Sequence, residues 1–492
     1  MGETRNMETA KRIYRNTMYL TIADIISKVL QFVVMMYAAR ILSKEHFGQF
    51  SFALSFSFLV AILADIGLNM LFIREVSRKK DSVGKHFVHT LAIKAVLSLV
   101  VFLLTFSFAL AMDYSIHMRL ILLIVSAFTI LSSITGLFYS IFRAFEMMHY
   151  DSLVKVSRML ILTFMALYVL FNDMGILAFC ISFLVVEVMV VFLGFTIAYR
   201  KFLYKSIRFT IDWVFLRRLL NETAPFGVAF LFGSIYFWSG TVLLSLYWGD
   251  VVVATFSTAY NLALGLLFIP TVYTNAIYPV LSRYFVSSPK DLLDLYSRSW
   301  KYLLLITLPL ALWLFSFSGE IIGILYGEKY ADSSMVLAGL SFFVFFKFLN
   351  FLQGIMLSAI NKQKNRMKGQ GIAALVNIVL NMILIPWLSI IGLIISSVLT
   401  ELVLFASYYF YVGKGVKNFY PKKLGIILLP MVALAGIWQV IPFNFYISSA
   451  IGVVMILLAI LVLPILDKND KAFLEQVLPI KLPNITFFGR TN

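Results

Sequence analysis

The sequence predicts an all-α polytopic membrane protein of about 14 transmembrane helices, in two parallel six-helix lobes followed by two C-terminal helices. Three observations carry that expectation. Of 492 residues 61% are hydrophobic and 13% charged, with a mean hydropathy of +0.92, more apolar surface than a water-soluble fold of this length buries. Apolar runs long enough for a bilayer core, which takes about 20 helical residues, recur at 17–39, 47–73, 87–111, 118–141, 153–171, 175–199, 223–247, 252–279, 300–318, 334–357, 371–388, 390–412, 424–441 and 446–466. The cations alternate between loops: with charges at span ends counted with the adjoining loop, about 34 of 41 lysines and arginines fall to the N-terminus, every second loop and the C-terminal tail, about 4 to the other loops and about 3 to the middle of spans.

Positive charge is retained in the cytoplasm, so the basic loops orient the spans and place both termini inside. The hairpin at 357–404 anchors this orientation: Lys362, Lys364, Arg366 and Lys368 crowd one turn between apolar runs, and the two runs after it meet at 386–390. Arg208 and Lys422 belong to the same side, Asp113, Asp250 and Lys329 to the other. The basic start (Arg5, Lys11, Arg12, Arg15) leads into a full-length span without an A-x-A-like cleavage site, so that span is expected to stay in the membrane. The longest outer loop, around 320–333, has about 15 residues, too few for a folded outer domain. Cys180 is the single cysteine, so no intramolecular disulfide is possible. The net charge of +17 is divided among helix-connecting loops rather than gathered on one face, which excludes a nucleic-acid partner.

An internal repeat sets the domain boundaries. Residues 175–187 (GILAFCISFLVVE) align without gaps on 389–401 (SIIGLIISSVLTE), and 47–53 (FGQFSFA) parallels 253–259 (VATFSTA). Offsets of about six spans make the copies parallel. The expected division is an N-lobe at 1–199, a basic linker at 200–221, a C-lobe at 222–412, two further spans within 413–466 and a cytoplasmic tail at 467–492.

Ionisable residues within the spans are the functional candidates, since a charge at a helix centre costs about 2.5–3.5 kcal/mol in a bilayer and therefore faces a partner or a wet cavity. Lys28 lies roughly 16 Å into the first span at 1.5 Å per residue, and Glu187, Lys347 and Glu401 are equally central. Asp24, Asp65 and Lys94 lie nearer the cytoplasmic third. Asp24 and Lys28, one turn apart, are placed to pair; Lys94 is placed to snorkel toward the headgroups. Glu187 and Glu401 match in the repeat, which suits a structural task as well as a transport one. Lys347 has Phe343 and Phe351 one turn either side, so it is expected to face water. Asn377 and Asn381 share a helix face, as interhelical hydrogen-bonding residues do. Pro225, Pro270, Pro279 and Pro309 are expected to kink their spans.

No His or Cys cluster with metal spacing, phosphate-cradling glycine loop or G-x-S-x-G is present, so neither a catalytic site nor a metal or cofactor is expected. What the chain does carry is V-N-I-V-L-N-x-x-L-I-P followed by G-x-x-x-S-S-x-x-T-E within 357–404, ARILSKEHFGQFSF at 39–52, DIGLNMLFIRE at 65–75, FRAFEMMHY at 142–150 and YPVLSRYF at 278–285. In that order these stretches resemble the polysaccharide (Wzx-type) flippase family, of the group that also holds MATE drug exporters and lipid II flippases, over roughly residues 10–465. The resemblance implies a MATE-like fold in the cell membrane and movement of an isoprenoid-phosphate-linked or pyrophosphate-linked oligosaccharide from the cytoplasmic to the outer leaflet, for cell-surface polysaccharide or glycan assembly. Partners would be the bilayer, that substrate, and glycosyltransferases or a polymerase of the same pathway. Lys28 and Lys347 are then expected to hold the anionic head group, Lys94 and Arg143 to attract it at the cytoplasmic mouth, and Trp238, beside Tyr236 and Phe237, to stack on sugar. Many relatives carry an arginine and an aspartate where this chain has Trp238, Ser239 and Gly240, so an ion pair in that span is not available. Two alternatives stand beside the flippase: a MATE-type cation-coupled multidrug exporter, disfavoured by the central lysines, and a membrane-embedded glycosyltransferase or polymerase, disfavoured by the short outer loops.

Overall fold

The computed structural model describes residues 2–204, 206, 207 and 210–413. The expected spans at 424–441 and 446–466, the tail at 467–492, Arg208 and Lys422 lie outside the described residues. Within them the chain is helical and has no strand: α1 (Gly2–Ile41), α2 (Lys44–Ala61), α3 (Leu68–Arg78), α4 (Val83–Ala111), α5 (Ile116–Ala144), α6 (Met148–Phe171), α7 (Gly175–Ala198), α8 (Trp213–Trp248), α9 (Asp250–Leu266), α10 (Phe268–Ser287), α11 (Pro289–Ser316), α12 (Ser318–Tyr326), α13 (Ser333–Ala359) and α14 (Gln363–Val412). Among the described residues 11 helical segments are long and apolar enough to cross a membrane. The last of them, α14, is two helices joined at Ser389, whose φ of 53° and ψ of −130° lie outside helical space. All the spans expected between 17 and 412 therefore find a segment.

Two spans are not the continuous helices the hydropathy suggests. The run at 47–73 breaks after Ala64: Ile66 and Gly67 take φ values of 39° and 86°, and the chain restarts as α3. Left-handed backbone is where glycine is at home, and Asp65 is a poor residue to carry through a helix core, so the local signal overrides the apolar average. The run at 252–279 breaks at Leu267, which leaves Pro270 in the first turn of α10, where its missing N–H costs nothing, while Pro279 and Pro309 are interior to α10 and α11. The stretch near 320 is also helical: α12 buries Ile321, Ile322 and Tyr326.

The chain gathers into two compact units. One holds residues 1–268 with 373–396; the other holds 269–372 with the described residues from 397 on. In the first unit the repeat-matched stretches 47–53 and 253–259 pack directly, α2 on α9, and nearly all their side chains are buried. Gly48 permits the approach, since a methyl group there would meet the Asp250 carbonyl oxygen at 1.8 Å. The kink in α14 frees the Ile385 carbonyl, and the Trp248 indole N–H donates to it at 2.8 Å. Buried backbone at a membrane break needs such a donor. In the second unit the Lys362 ammonium donates to the Tyr411 carbonyl at 3.0 Å and the Arg366 guanidinium to Ser358 at 2.9 Å, tying the basic turn to the end of α14.

Candidate functional site

In the first unit the ionisable residues form a network across α1, α5, α6 and α7. Glu187 of α7 is 1% exposed. Its Oε1 accepts the Thr135 hydroxyl at 2.6 Å, and its Oε2 lies 2.9 Å from Arg158 Nε, an ionic contact whose N–H is not aimed along the line. Arg158 belongs to a stripe on α6 with Asp151 and Lys155, at i, i+4 and i+7 on one face. Buried Asp151 accepts from Arg143 Nε at 2.7 Å and stands 3.2 Å from Lys155 Nζ. Lys155 in turn reaches Asp24 Oδ1 at 3.0 Å. Asp24 therefore pairs with Lys155 rather than with Lys28, because α1 packs along α6 and a cation from the facing helix arrives at the carboxylate. Lys28 is half-buried and, among the described residues, makes no hydrogen bond or ion-pair contact.

Lys94 does not snorkel. It is fully buried, with Nζ donating to Asp65 Oδ1 at 2.9 Å and to the Ser133 carbonyl and hydroxyl at 3.0 and 2.7 Å. The break between α2 and α3 brings Asp65 within reach, and a carboxylate at hand outweighs a stretch to distant headgroups. Asp65 is held in turn by the Asn69 backbone N–H and side-chain amide at 3.3 and 3.1 Å.

In the second unit Lys347 does not face open water either. Its Nζ donates to Glu401 Oε1 at 2.7 Å, and the Asn350 amide donates to Glu401 Oε2 at 2.7 Å and to the Glu401 carbonyl at 3.0 Å. The sequence separation of 54 residues hides this pair, since α13 and α14 meet only in the fold. Asn377 and Asn381, in the first unit, act as the spacing suggests: Asn381 donates to Asn377 Oδ1 at 3.0 Å, Ser239 approaches the same oxygen at 3.5 Å, and the Ser396 hydroxyl donates to Asn381 Oδ1. Trp238 is stacked on Phe58, with ring centroids 5.0 Å apart, so one of its faces is already occupied.

Sequence reasoning missed Asp151, Lys155 and Arg158. They sit where the fifth span begins, and counting them as loop-end charges concealed their common face; the i, i+4, i+7 period was the available signal. It also missed how α8 starts. Asp212 caps that helix, accepting the Val214 and Phe215 N–H groups at 3.1 Å, while its own N–H donates to His89 Nε2 at 2.8 Å. The Lys85 ammonium, 2.8 Å from its Oδ2, and the Phe215 N–H hold the Asp212 carboxyl below the ordinary carboxylate range. One helical stretch on, Arg218 at 2.7 Å and Arg74 at 2.5 Å share Glu222, and Arg218 in particular lowers that carboxyl too. Among the described residues no group of three or more His, Cys, Asp and Glu is placed to hold a metal ion.

Residues 13–285, more than half of the chain, match the polysaccharide biosynthesis protein family. The chain belongs to that family. The resemblance read from 39–52, 65–75, 142–150, 278–285 and 357–404 therefore holds, and residues 225–383 also match the MatE family. Two relatives of the polysaccharide biosynthesis chain are similar along most of their length. One is the capsular polysaccharide biosynthesis protein CapF of Staphylococcus aureus, 22% identical, covering 81% of this chain and 98% of that protein. The other is the probable low-salt glycan biosynthesis flippase Agl15 of Haloferax volcanii, 23% identical, covering 86% and 88%. The fold is shared with the lipid II flippase MurJ in its inward closed conformation, at a TM-score of 0.74 and 16% identity over 93% of this chain and 99% of that one. An inward-facing multidrug resistance MATE transporter follows at 0.64 and 15%, over 82% and 99%. The polysaccharide biosynthesis family thus presents here an all-helical, multi-pass membrane fold.

Proposed function

We propose that this protein moves a lipid-linked oligosaccharide, carried on an isoprenoid phosphate or pyrophosphate, from the cytoplasmic to the outer leaflet of the cell membrane, without catalysing a chemical step. Family membership over residues 13–285 carries this reading, and the relative named as a glycan biosynthesis flippase supports it. Both termini lie in the cytoplasm in this reading, residues 1–199 and 222–412 act as the two lobes, and glycosyltransferases or a polymerase of the same pathway deliver and receive the glycan. A phosphate-bearing head group leaving a negative interior runs downhill by about 2.3 kcal/mol per charge per 100 mV. The remaining obstacle is the apolar middle, which a fixed cation lowers.

Lys28 is the residue we assign to that task. Its neighbour Asp24 is engaged by Lys155 and acts on Lys28 only through space, so among the described residues the Lys28 ammonium makes no hydrogen bond or ion-pair contact. Lys94 and Lys347 are committed to Asp65 and Glu401, and their positive charge is largely matched where they stand. Lys28→Ala is expected to cut outward transfer of lipid-linked glycan in reconstituted vesicles at least about tenfold, the size of one lost charge-assisted contact, with Lys28→Arg retaining part of the rate and both variants inserting at wild-type level. Normal transfer by Lys28→Ala would remove this lysine from the mechanism. The match of residues 225–383 to the MatE family favours a second reading, a cation-coupled exporter of drugs. Vesicles loaded with a cationic dye separate the two: only an exporter clears the dye.

A further inference from the structure

The joint between α2 and α3 holds a strained residue. Ile66 has a φ of 39°, left-handed backbone in which a β-branched side chain crowds the adjoining peptide, and Gly67 follows at 86°. Such strain persists only where surrounding contacts over-determine it. α8 supplies those contacts, and it does so on both sides of the break. On the α2 side the Ser234 hydroxyl donates to the Phe58 carbonyl at 3.1 Å, and Trp238 stacks on the Phe58 ring. At the break itself the buried Thr223 hydroxyl donates to the Ile66 carbonyl at 3.1 Å, and Gly227 lets the chains close, since a methyl group there would meet that same oxygen at 3.0 Å. On the α3 side Arg74 reaches Glu222 at 2.5 Å. α8 is thus a splint laid antiparallel across a bent joint.

The backbone groups at the joint have a second way to be satisfied. In the bent form the Met70 N–H donates to the Gly67 carbonyl at 3.2 Å and the Asn69 N–H to Asp65 Oδ1 at 3.3 Å, which leaves the Ile66 carbonyl to Thr223. In an uninterrupted helix Met70 would donate to the Ile66 carbonyl and Asn69 to the Asp65 carbonyl, each four residues back. The Thr223 hydroxyl would then turn to the carbonyl four residues back on α8. Neither arrangement strands a buried polar group, which is what a helix break inside a membrane needs in order to switch. The Ile66 N–H already donates to the Ile62 carbonyl at 2.9 Å, as a continuous helix requires. Lys94 ties Asp65 to α4 and, through Ser133, to α5, so the start of the joint is fixed and the movement falls on α3.

We propose that residues 65–67 are a two-state joint, bent while the start of α8 lies against it and straight when that part of α8 withdraws. Straightening relieves Ile66 and carries α3 into line with α2, which takes Arg74 away from Glu222. The hydroxyl contact at Thr223 and the ion pair at its neighbour Glu222 are therefore lost together, and the strain at Ile66 favours their release. The joint goes beyond the transport reading and does not depend on what is carried.

The test uses the full chain in nanodiscs, carrying Cys180→Ala with Ser77→Cys and Met147→Cys. Positions 77 and 147 are exposed, so nitroxide labels there report the distance from the end of α3 to the start of α6 by double electron–electron resonance. Thr223→Val keeps the side-chain shape without the hydroxyl and is expected to raise a second distance about fivefold in population, the effect of one hydrogen bond. Gly67→Ala is expected to raise the same distance on the order of tenfold, because alanine resists a φ of 86° and favours the helix. Ile66→Gly acts in the opposite direction: it removes the strain and is expected to suppress the second distance, in the Thr223→Val background as well. General loosening would shift all three variants the same way. One unchanged distance in both Thr223→Val and Gly67→Ala overturns the proposal, and so does a second distance that grows in Ile66→Gly. Should Gly67→Ala fail to fold, the opposed pair Thr223→Val and Ile66→Gly decides alone.

Discussion

Glu187 and Glu401 stand 214 positions apart at matched places in the repeat, and the fold treats them alike in one respect and differently in another. Each accepts from a neutral donor on an earlier helix, Thr135 and Asn350, themselves 215 positions apart. The cation is not repeated. Arg158 comes from α6 and is 22% exposed, whereas Lys347 comes from α13, three residues from Asn350, and is 9% exposed. The carboxylate and its hydrogen bond thus belong to the repeated scaffold, and the counter-charge to each unit's own history. The consequence is physical. The Glu187 pair lies beside a chain of charges that runs through Asp151 and Lys155 to Asp24, 54% exposed, while the Glu401 pair is sealed. One network reaches the surface of the protein; the other acts as a bolt between α13 and α14.

The sharpest way to break that comparison is Lys347→Ala. It leaves Glu401 buried without its cation, a change that costs about 3–5 kcal/mol in closed sites, and thermal unfolding of the purified protein in detergent should show a large drop. Lys347→Met with Glu401→Gln should recover most of it, since removing both charges strands neither. A Lys347→Ala protein that melts like the wild type means that the bolt carries no load. Arg158→Ala should cost less, on the order of 2 kcal/mol, because Arg158 is more exposed than Lys347 and its N–H is not aimed at Glu187 Oε2. Equal losses at Lys347 and Arg158 would erase the difference between the units.

How much of this was legible beforehand follows the same line. The spans, the basic hairpin turn, the repeat and the central position of Glu187 and Glu401 could be read from apolar runs and charge spacing, because each depends on residues close in sequence. Partners could not. Lys347 is flanked on its own helix by Phe343 and Phe351, so nothing local points to Glu401. Asp24 offers Lys28 one turn away, and the fold prefers Lys155 from 131 residues on. The breaks at Gly67 and Leu267 were masked by hydropathy averaging, although the Asp-Ile-Gly triplet at 65–67 carries the turn chemistry of the first.

The open network should also answer to salt where the sealed pair does not. Asp24→Asn removes an ion pair at the exposed end of the α6 stripe and should cost about 0–1 kcal/mol at low ionic strength, with the difference fading as salt rises. The Lys347→Ala loss should not change with salt. Melting both variants across a salt series checks the contrast, and parallel salt dependence would count against it.

Acidification provides the finest distinction, at the start of α8. The Asp212 carboxyl is held below its ordinary range, first by the hydrogen bond from Lys85 and then by the Phe215 N–H, with Val214 adding to both. A depressed folded value means that this carboxylate contributes to stability above its unfolded pKa, about 3.9, and that the contribution is lost as pH falls through the lower folded value. Glu222, lowered by Arg218, has the same sign. The contributions of these two carboxylates to the cap and the clamp on α8 should therefore be unchanged between about pH 5 and 7 and be lost only below about pH 4. Limited proteolysis within 199–222 by an acid-tolerant protease reads the loosening directly. Asp212→Asn should raise cleavage at neutral pH and flatten the acid response, because the amide cannot lose the charge that Lys85 and the two N–H groups select. Acid-dependent cleavage that persists unchanged in Asp212→Asn would place the sensitive group elsewhere and leave the cap a neutral hydrogen-bonding device.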